Sequence, residues 1–313
     1  MLPSPLALAL LSVTSLVTTP AHLSVSLAPT PPLPVQTTFS APGPYATAVA
    51  TATLPGAGGF TIFRPADYNA LGFTSPIVDW ANGTGATPGL YTTILSHFAS
   101  YGFTVIASDL TNTGSGREVE AGSHYLVAQN TTAGSTYAGH LNTDEIAAVG
   151  HSQGATAAAR LAEFDPAVKT LMTFSLPASI YSFPNPDCPA AAYCSTNLSL
   201  VKQPTFLIST YGFADAIIAN PEVAANYFDQ LPGQAVMGII VNSDGKAADH
   251  SAVQNSDDGG NPDGELGYAT AWLEYQLRGN PLAATAFTGP QPEITVNPNW
   301  PGSVTKPAPI GGP

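Results

Sequence analysis

The chain has 313 residues, of which 44% are hydrophobic and only 9% are charged. Its formal net charge of -13, from 8 basic and 21 acidic side chains, argues against a nucleic-acid partner and against an anionic membrane surface, since both require basic patches. This length fits one large α/β domain or two small ones, and a neutral or apolar substrate is compatible with the acidic surface.

The first residues predict a secretory signal peptide at residues 1–21. An apolar run at Leu6–Leu11 is followed by small residues, although a basic start is missing. The run is too short and too interrupted to span a membrane, and cleavage after Ala21 or after Ala28 remains open. Residues 22–40, rich in Pro, Thr and Ser, predict a loose leader before a catalytic domain at 41–293. We therefore expect a secreted or periplasmic protein.

Strand and helix patterns alternate along the predicted domain. Two strands, Tyr45–Leu54 and Phe60–Arg64, predict an antiparallel hairpin around a glycine-rich turn. Further strands are predicted at 76–80, 103–107, 144–149, 168–174, 204–210 and 235–241, and helices at 88–101, 118–129, 155–164, 220–230 and 264–278. This order predicts a doubly wound α/β fold with a mostly parallel sheet. The Pro- and Gly-rich tail at 294–313 is predicted to be extended or disordered.

One stretch dominates the sequence, Gly150-His151-Ser152-Gln153-Gly154, between an apolar strand and an Ala-rich helix. This Gly-x-Ser-x-Gly pattern predicts a nucleophile elbow, a tight turn that lifts the Ser152 hydroxyl above a sheet. Its two glycines let strand and helix approach closely. The amide of Gln153, at the helix start, would face a negative oxygen formed beside the serine. A second donor should come from the loop after the third strand, where we favour the amide of Thr84 over a neighbouring amide.

A serine nucleophile needs a base that takes its proton and an acid that orients the base. Of the 6 histidines, only His250 follows Ser152 in the chain, which predicts the base by elimination. Asp215 is the only carboxylate in the loop after the strand at 204–210, which predicts the acid. Asp187 and Asp249 are rivals, the first placed too early and the second directly beside the histidine.

The two cysteines, Cys188 and Cys194, lie close together in a Pro-rich loop. In an exported protein this spacing predicts a local disulfide, with two free thiols as the alternative. A metal site made by this pair would lack companion ligands nearby.

Residues 45–289 resemble the secreted α/β-hydrolases that include bacterial cutinases, polyester (PET) hydrolases and chlorophyllase-like esterases. The resemblance rests on six stretches, namely Asn82–Thr84, Ser100–Val105, Gly150–Gly154, Asp215–Ala219, Asp249–Ser251 and Ala271–Leu277. It implies the α/β-hydrolase fold and the catalytic triad Ser152, Asp215 and His250. It also implies a backbone oxyanion hole from Thr84 and Gln153, no metal or other cofactor, and activity on small or polymeric carboxylic esters. We expect a monomer.

A fold does not determine a substrate, so other readings stay open. The same triad could serve an amidase, a peptidase or a carbon–carbon hydrolase. A chain that kept the fold and lost turnover would be a binding protein. We retain the hydrolysis of carboxylic esters through an acyl-serine intermediate as the prediction, because the nucleophile, base and acid are all present.

Overall fold

A computed structural model describes residues 32–178, 196–243, 246–255 and 263–308, which all belong to one unit spanning residues 31–313. The predicted signal peptide, both cysteines (Cys188 and Cys194) and the rival carboxylate Asp187 lie outside the described residues. The expected cleavage and disulfide therefore stay predictions.

Nine strands of the described chain form one mostly parallel sheet, in the order β1-β2-β4-β3-β5-β6-β7-β8-β11. The six strands from β4 to β8 pair in parallel, whereas β1 and β2 form the predicted antiparallel hairpin at one edge. A separate two-stranded ribbon follows β8 in the chain. The strands are β1 (Thr47–Leu54), β2 (Gly58–Pro65), β3 (Ser75–Ala81), β4 (Thr104–Ser108), β5 (Leu141–His151), β6 (Val168–Phe174), β7 (Thr205–Thr210), β8 (Ala235–Ile240), β9 (Asn242–Ser243), β10 (Lys246–Ala247) and β11 (Val304–Lys306).

Helices connect the strands and flank the sheet, as the alternating pattern predicts. Short 3-10 turns occur at Tyr68–Ala70, Pro88–Tyr91 and Leu198–Leu200. The described helices are α1 (Pro34–Ser40), α2 (Thr92–Ser100), α3 (Arg117–Asn130), α4 (Gln153–Phe164), α5 (Asp215–Ile218), α6 (Pro221–Gln230), α7 (Asp263–Arg278), α8 (Pro281–Ala284) and α9 (Glu293–Val296).

Both faces of the sheet are buried, which explains why its parallel strands are almost continuously apolar. On β5, Ala147 and Val149 join a core that contains Trp80 and Trp272, whereas Ala148 joins the core under the Ala-rich helix α4. Successive residues of a strand point to opposite faces, so β5 supports both layers at once. The end of β5 is thereby fixed from both sides, and the following turn starts from a rigid base.

The predictions of a loose leader at 22–40 and of an extended or disordered tail at 294–313 are wrong in part, because the fold extends beyond residues 41–293 at both ends. Residues 34–40 form α1, with Val35 and Phe39 buried one helical turn apart. The backbone amide of Val35 donates to the side chain of Glu293 at 2.8 Å. Pro34 begins this helix, a position that suits proline, so a Pro- and Thr-rich composition concealed an ordered segment.

The tail contributes a strand and a core residue. Strand β11 pairs antiparallel with β8, so the strand predicted at 235–241 is not the last one in the sheet. Trp300 is 1% exposed and lies 5.4 Å from the ring of Tyr268. A Cβ at Gly238 would come within 2.8 Å of the indole, so this glycine makes room for it. Three residues are too few to show strand alternation, which is why sequence patterns missed β11.

We predict that Trp300→Ala destabilises the protein by about 3–5 kcal/mol, because it empties a large buried volume. The measurement is the free energy of unfolding from urea titration, with Leu200→Ala as the control, since Leu200 is 51% exposed. Equal stability of the two variants would show that the tail does not belong to the core.

Candidate functional site

The turn at Ser152 has the geometry that an elbow requires. Ser152 connects β5 to α4 with φ 55° and ψ -124°, a backbone conformation that L side chains rarely adopt. A Cβ at Gly150 would overlap the carbonyl oxygen of Gly154, and one at Gly154 would overlap that of Ala81. The two glycines of the pattern are therefore required by the close approach of helix and strand, as predicted.

The structure brings the three predicted side chains together. The Nε2 atom of His250 lies 2.9 Å from the Oγ atom of Ser152, and its Nδ1 atom lies 2.5 Å from the Oδ1 atom of Asp215. A carboxylate accepts hydrogen bonds, so Nδ1 carries the proton and Nε2 accepts the hydrogen bond of the serine hydroxyl. Asp215 is fully buried at the start of α5, whereas the side chain of His250 is 20% exposed.

Two hydroxyl groups that sequence reasoning missed complete the surroundings of Asp215. Ser175 and Thr210 both donate to its second oxygen, Oδ2, the first at 2.7 Å. Thr210 ends β7 and Ser175 directly follows β6, with a positive φ of 50°. Carboxyl ends of neighbouring parallel strands meet at one edge of a sheet. That placement was the available signal for both residues.

A second buried acid lies near this group. Glu265 on α7 is 1% exposed, and burial, with the charge of Asp215 adding to it, raises its pKa well above the usual range. The raised pKa favours the neutral form of Glu265 beside Asp215.

The rival carboxylate Asp249 has a different role. Its Oδ1 atom accepts hydrogen bonds from the backbone amides of His250 at 2.7 Å and Ala214 at 3.3 Å. A Cβ at Gly212 would overlap this carboxylate, so the chain approaches it closely there. Asp249 thus ties the loop that carries His250 to the loop that carries Asp215, without contacting the imidazole ring.

His151, predicted only as part of the elbow, lies in a buried chain of hydrogen bonds. The amide of Gly83 donates to the hydroxyl of Tyr91 at 3.0 Å, and this hydroxyl lies 2.9 Å from Nδ1 of His151. The Nε2 atom of His151 lies 2.7 Å from the carbonyl oxygen of His250. Burial, and then the nearby His250, lower the pKa of His151 to about 3, so its ring is neutral. Tyr91 therefore donates to Nδ1, and Nε2–H donates to the carbonyl.

Two amides remain to face the serine. Gln153 is the first residue of α4, so its amide has no acceptor within the helix. The amide of Gly83 is committed to Tyr91, whereas no described residue accepts a hydrogen bond from the amide of Thr84. The Thr84 amide therefore stays available as a donor, and its role as the second oxyanion donor stays a prediction.

A cleft of about 250 Å³ opens over these groups. Thr84, Ser152, Gln153 and His250 line it, together with Pro177, Ile218 and Gln254, which sequence patterns did not indicate. None of the described residues that line the cleft carries a carboxylate, an ammonium or a guanidinium group. The serine hydroxyl is thus reachable from a neutral cavity.

Comparison of the chain with models of known protein families finds no match, and comparison with curated protein sequences finds none of significance. Within the described ranges, no helix is both long enough and apolar enough to cross a bilayer.

We predict that His151 makes the protein sensitive to acid. The unfolded chain protonates this residue below about pH 6.5, whereas the folded protein keeps it neutral down to about pH 3. The unfolded state binds more protons in this interval, so acidification lowers the free energy of unfolding, by up to about 1.4 kcal/mol per pH unit.

His151→Gln should therefore flatten the dependence of stability on pH between pH 6 and pH 4, as measured by urea titration at several pH values. His97, whose pKa is also lowered by burial, contributes equally in both proteins. The same loss of stability in parent and variant would contradict this account.

Proposed function

We propose that the protein is a serine hydrolase with the α/β-hydrolase fold that cleaves carboxylic esters. The observation that carries the proposal is the hydrogen-bonded chain from Ser152 through His250 to Asp215, built on a strained turn between strand and helix. A partly buried, oriented imidazole beside a serine hydroxyl suits proton transfer during acyl transfer.

In the proposed reaction, Ser152 attacks the ester carbonyl carbon while His250 Nε2 takes the hydroxyl proton. The amides of Gln153 and Thr84 stabilise the negative oxygen of the tetrahedral intermediate. The intermediate collapses to an acyl-serine as the imidazolium gives its proton to the leaving alcohol. Water then attacks the acyl group, again with His250 as the base, and releases the acid. Asp215 holds the ring in the required tautomer throughout.

The surroundings of the cleft favour an uncharged, apolar acyl group. Pro177 and Ile218 line it, and three exposed side chains, Tyr211 (61%), Phe213 (83%) and Ile217 (57%), lie on the segment that carries Asp215. Exposed apolar groups on this segment support contact with an apolar substrate. The resemblance to cutinases and polyester hydrolases extends the candidate substrates from soluble esters to polymeric ones.

We also propose that the protein is exported. The support is the apolar run within residues 1–21 and the small residues that follow it. Sequencing of the mature N-terminus after expression in a host that secretes proteins tests this part, and retention of Met1 in an extracellular product would contradict signal cleavage.

We predict that Ser152→Ala lowers the hydrolysis of p-nitrophenyl butyrate by at least about 10⁴-fold, because the nucleophile is lost. Labelling by a fluorophosphonate should disappear in the same variant. Ser199→Ala is the matched control, because this serine is exposed on a 3-10 turn. A variant that is folded by circular dichroism and retains normal turnover would end the proposal. A panel of esters, anilides and peptides separates an esterase from an amidase or a peptidase.

Asp215→Asn should lower kcat by about 10⁴-fold, because the amide no longer holds the imidazole in the correct tautomer. Asp249→Asn should stay within about tenfold of the parent protein, since its Oδ1 can still accept both backbone amides. Steady-state kinetics on one ester compares the two variants. A larger loss in Asp249→Asn would assign the acid to the rival residue.

A further inference from the structure

A group of side chains that can act as metal ligands lies between α3 and the end of α4. Glu120 and His124 are one turn apart on α3, and Asp165 directly follows α4. Their potential ligand atoms all lie within 4.8 Å of one another, and the Nε2 atom of His124 is 4.0 Å from Oε1 of Glu120. The ligand atoms around a metal ion in a protein lie about 3 to 3.5 Å from one another. Modest side-chain rotation would therefore bring these three potential ligand atoms to metal-binding distances.

The carboxylate of Asp165 is buried, and only one of its two oxygens is satisfied by a hydrogen bond. Asp165 is 7% exposed, and its Oδ1 atom accepts a hydrogen bond from the amide of Ala167 at 2.9 Å. Its Oδ2 atom is buried and has no hydrogen-bond partner among the described residues. A buried, unpaired carboxylate oxygen is costly, because water can no longer solvate its charge. Asp165 is one of the three potential ligands, so its unpaired oxygen is available to a cation bound by this group.

A further buried carboxyl group, that of Asp79, lies close enough to Asp165 and Glu120 to interact with them electrostatically. Asp79 on β3 is fully buried, and neither of its side-chain oxygens forms a hydrogen bond of good geometry with a described residue. Three carboxyl groups thus converge here.

Arg117 forms an ion pair with only one of the two carboxylate oxygens of Glu120. Arg117 pairs with the Oε2 atom of Glu120 at 3.1 Å, and its side chain is 66% exposed. The guanidinium also lies 4.1 Å from the ring centroid of Phe164. Arg117 therefore stays on the outer side of Glu120, and the Oε1 atom remains directed toward His124.

We propose that Asp165, Glu120 and His124 bind one divalent transition-metal ion of the zinc class, which fastens α3 to the end of α4. An imidazole nitrogen with two carboxylate oxygens suits Zn²⁺, whereas Ca²⁺ prefers oxygen ligands alone. The site is separate from the proposed ester chemistry, because Ser152 and Asp165 flank opposite ends of the 12-residue helix α4, about 18 Å apart along its axis. The family resemblance itself implies no metal.

The test is isothermal titration of the full-length, chelator-treated chain with Zn²⁺, together with its thermal midpoint with and without the ion. We expect one Zn²⁺ per chain and a rise of several degrees in the midpoint, since an ion that binds only the folded state stabilises it. His124→Ala and Asp165→Asn should each weaken binding by at least about tenfold. Glu222→Gln, an exposed position on α6, is the matched control and should bind as the parent does.

Because His124 is 61% exposed, its replacement should leave the zinc-free midpoint unchanged, so a weaker response cannot be assigned to misfolding. The absence of stoichiometric Zn²⁺ binding in the parent chain would overturn the proposal. Equal Zn²⁺ affinity in the parent and both site variants would also overturn it, because the ion would then lie elsewhere. A Ca²⁺ response that exceeds the Zn²⁺ response and survives His124→Ala would overturn the assignment of the imidazole.

Discussion

The strained turn at Ser152 is the constraint on which the rest of the site depends. A positive φ at a residue with a side chain costs of order 1–3 kcal/mol and persists only where its surroundings enforce it. Here the amide of Ser152 donates to Phe174 on β6 at 2.9 Å, and the glycines at 150 and 154 allow α4 to lie against the strands. The turn points the hydroxyl into the cleft and frees the amide of Gln153. The proposed nucleophile and the proposed oxyanion donor are thus two results of one backbone geometry.

The other two members of the proposed triad lie on or directly after loops, and buried polar contacts restrain those loops. Asp249 joins the backbone of the two loops, and the ring of His151 holds the carbonyl of His250. The imidazole of His250 is consequently restrained through its own backbone as well as through Asp215. The neutral ring of His151 provides this restraint through hydrogen bonds and adds no positive charge beside the proposed base. A charged group in that position would disfavour the imidazolium that acyl transfer requires.

Sequence alone predicts the parts of this site that follow from local pattern and chain order. Gly150–Gly154 is recognisable because strand, turn and helix are adjacent in the chain, and His250 follows by elimination among few histidines. Ser175, Thr210 and Tyr91 are different, since their roles depend on which strand ends become neighbours in the sheet. Composition also misled at the ends of the fold. Val35, Phe39 and Trp300 are buried within segments whose proline content resembles a linker, and only tertiary contacts distinguish the two.

Helix α4 connects the proposed catalytic site at its N-terminal end with the proposed metal site at its C-terminal end. Its small alanines let it lie close to the sheet, which the elbow at its first turn requires. Alanine provides little side-chain contact area, so such a helix depends on its ends for anchorage. Its N-terminal end is fixed by Ser152 and the glycines. Its C-terminal end is fixed by Asp165. One carboxylate oxygen of Asp165 accepts a hydrogen bond from the amide of Ala167 in the following turn, and the other has no hydrogen-bond partner among the described residues. A cation bound there would neutralise buried charge at one end of the helix and restrain the same helix that holds the strained serine at the other.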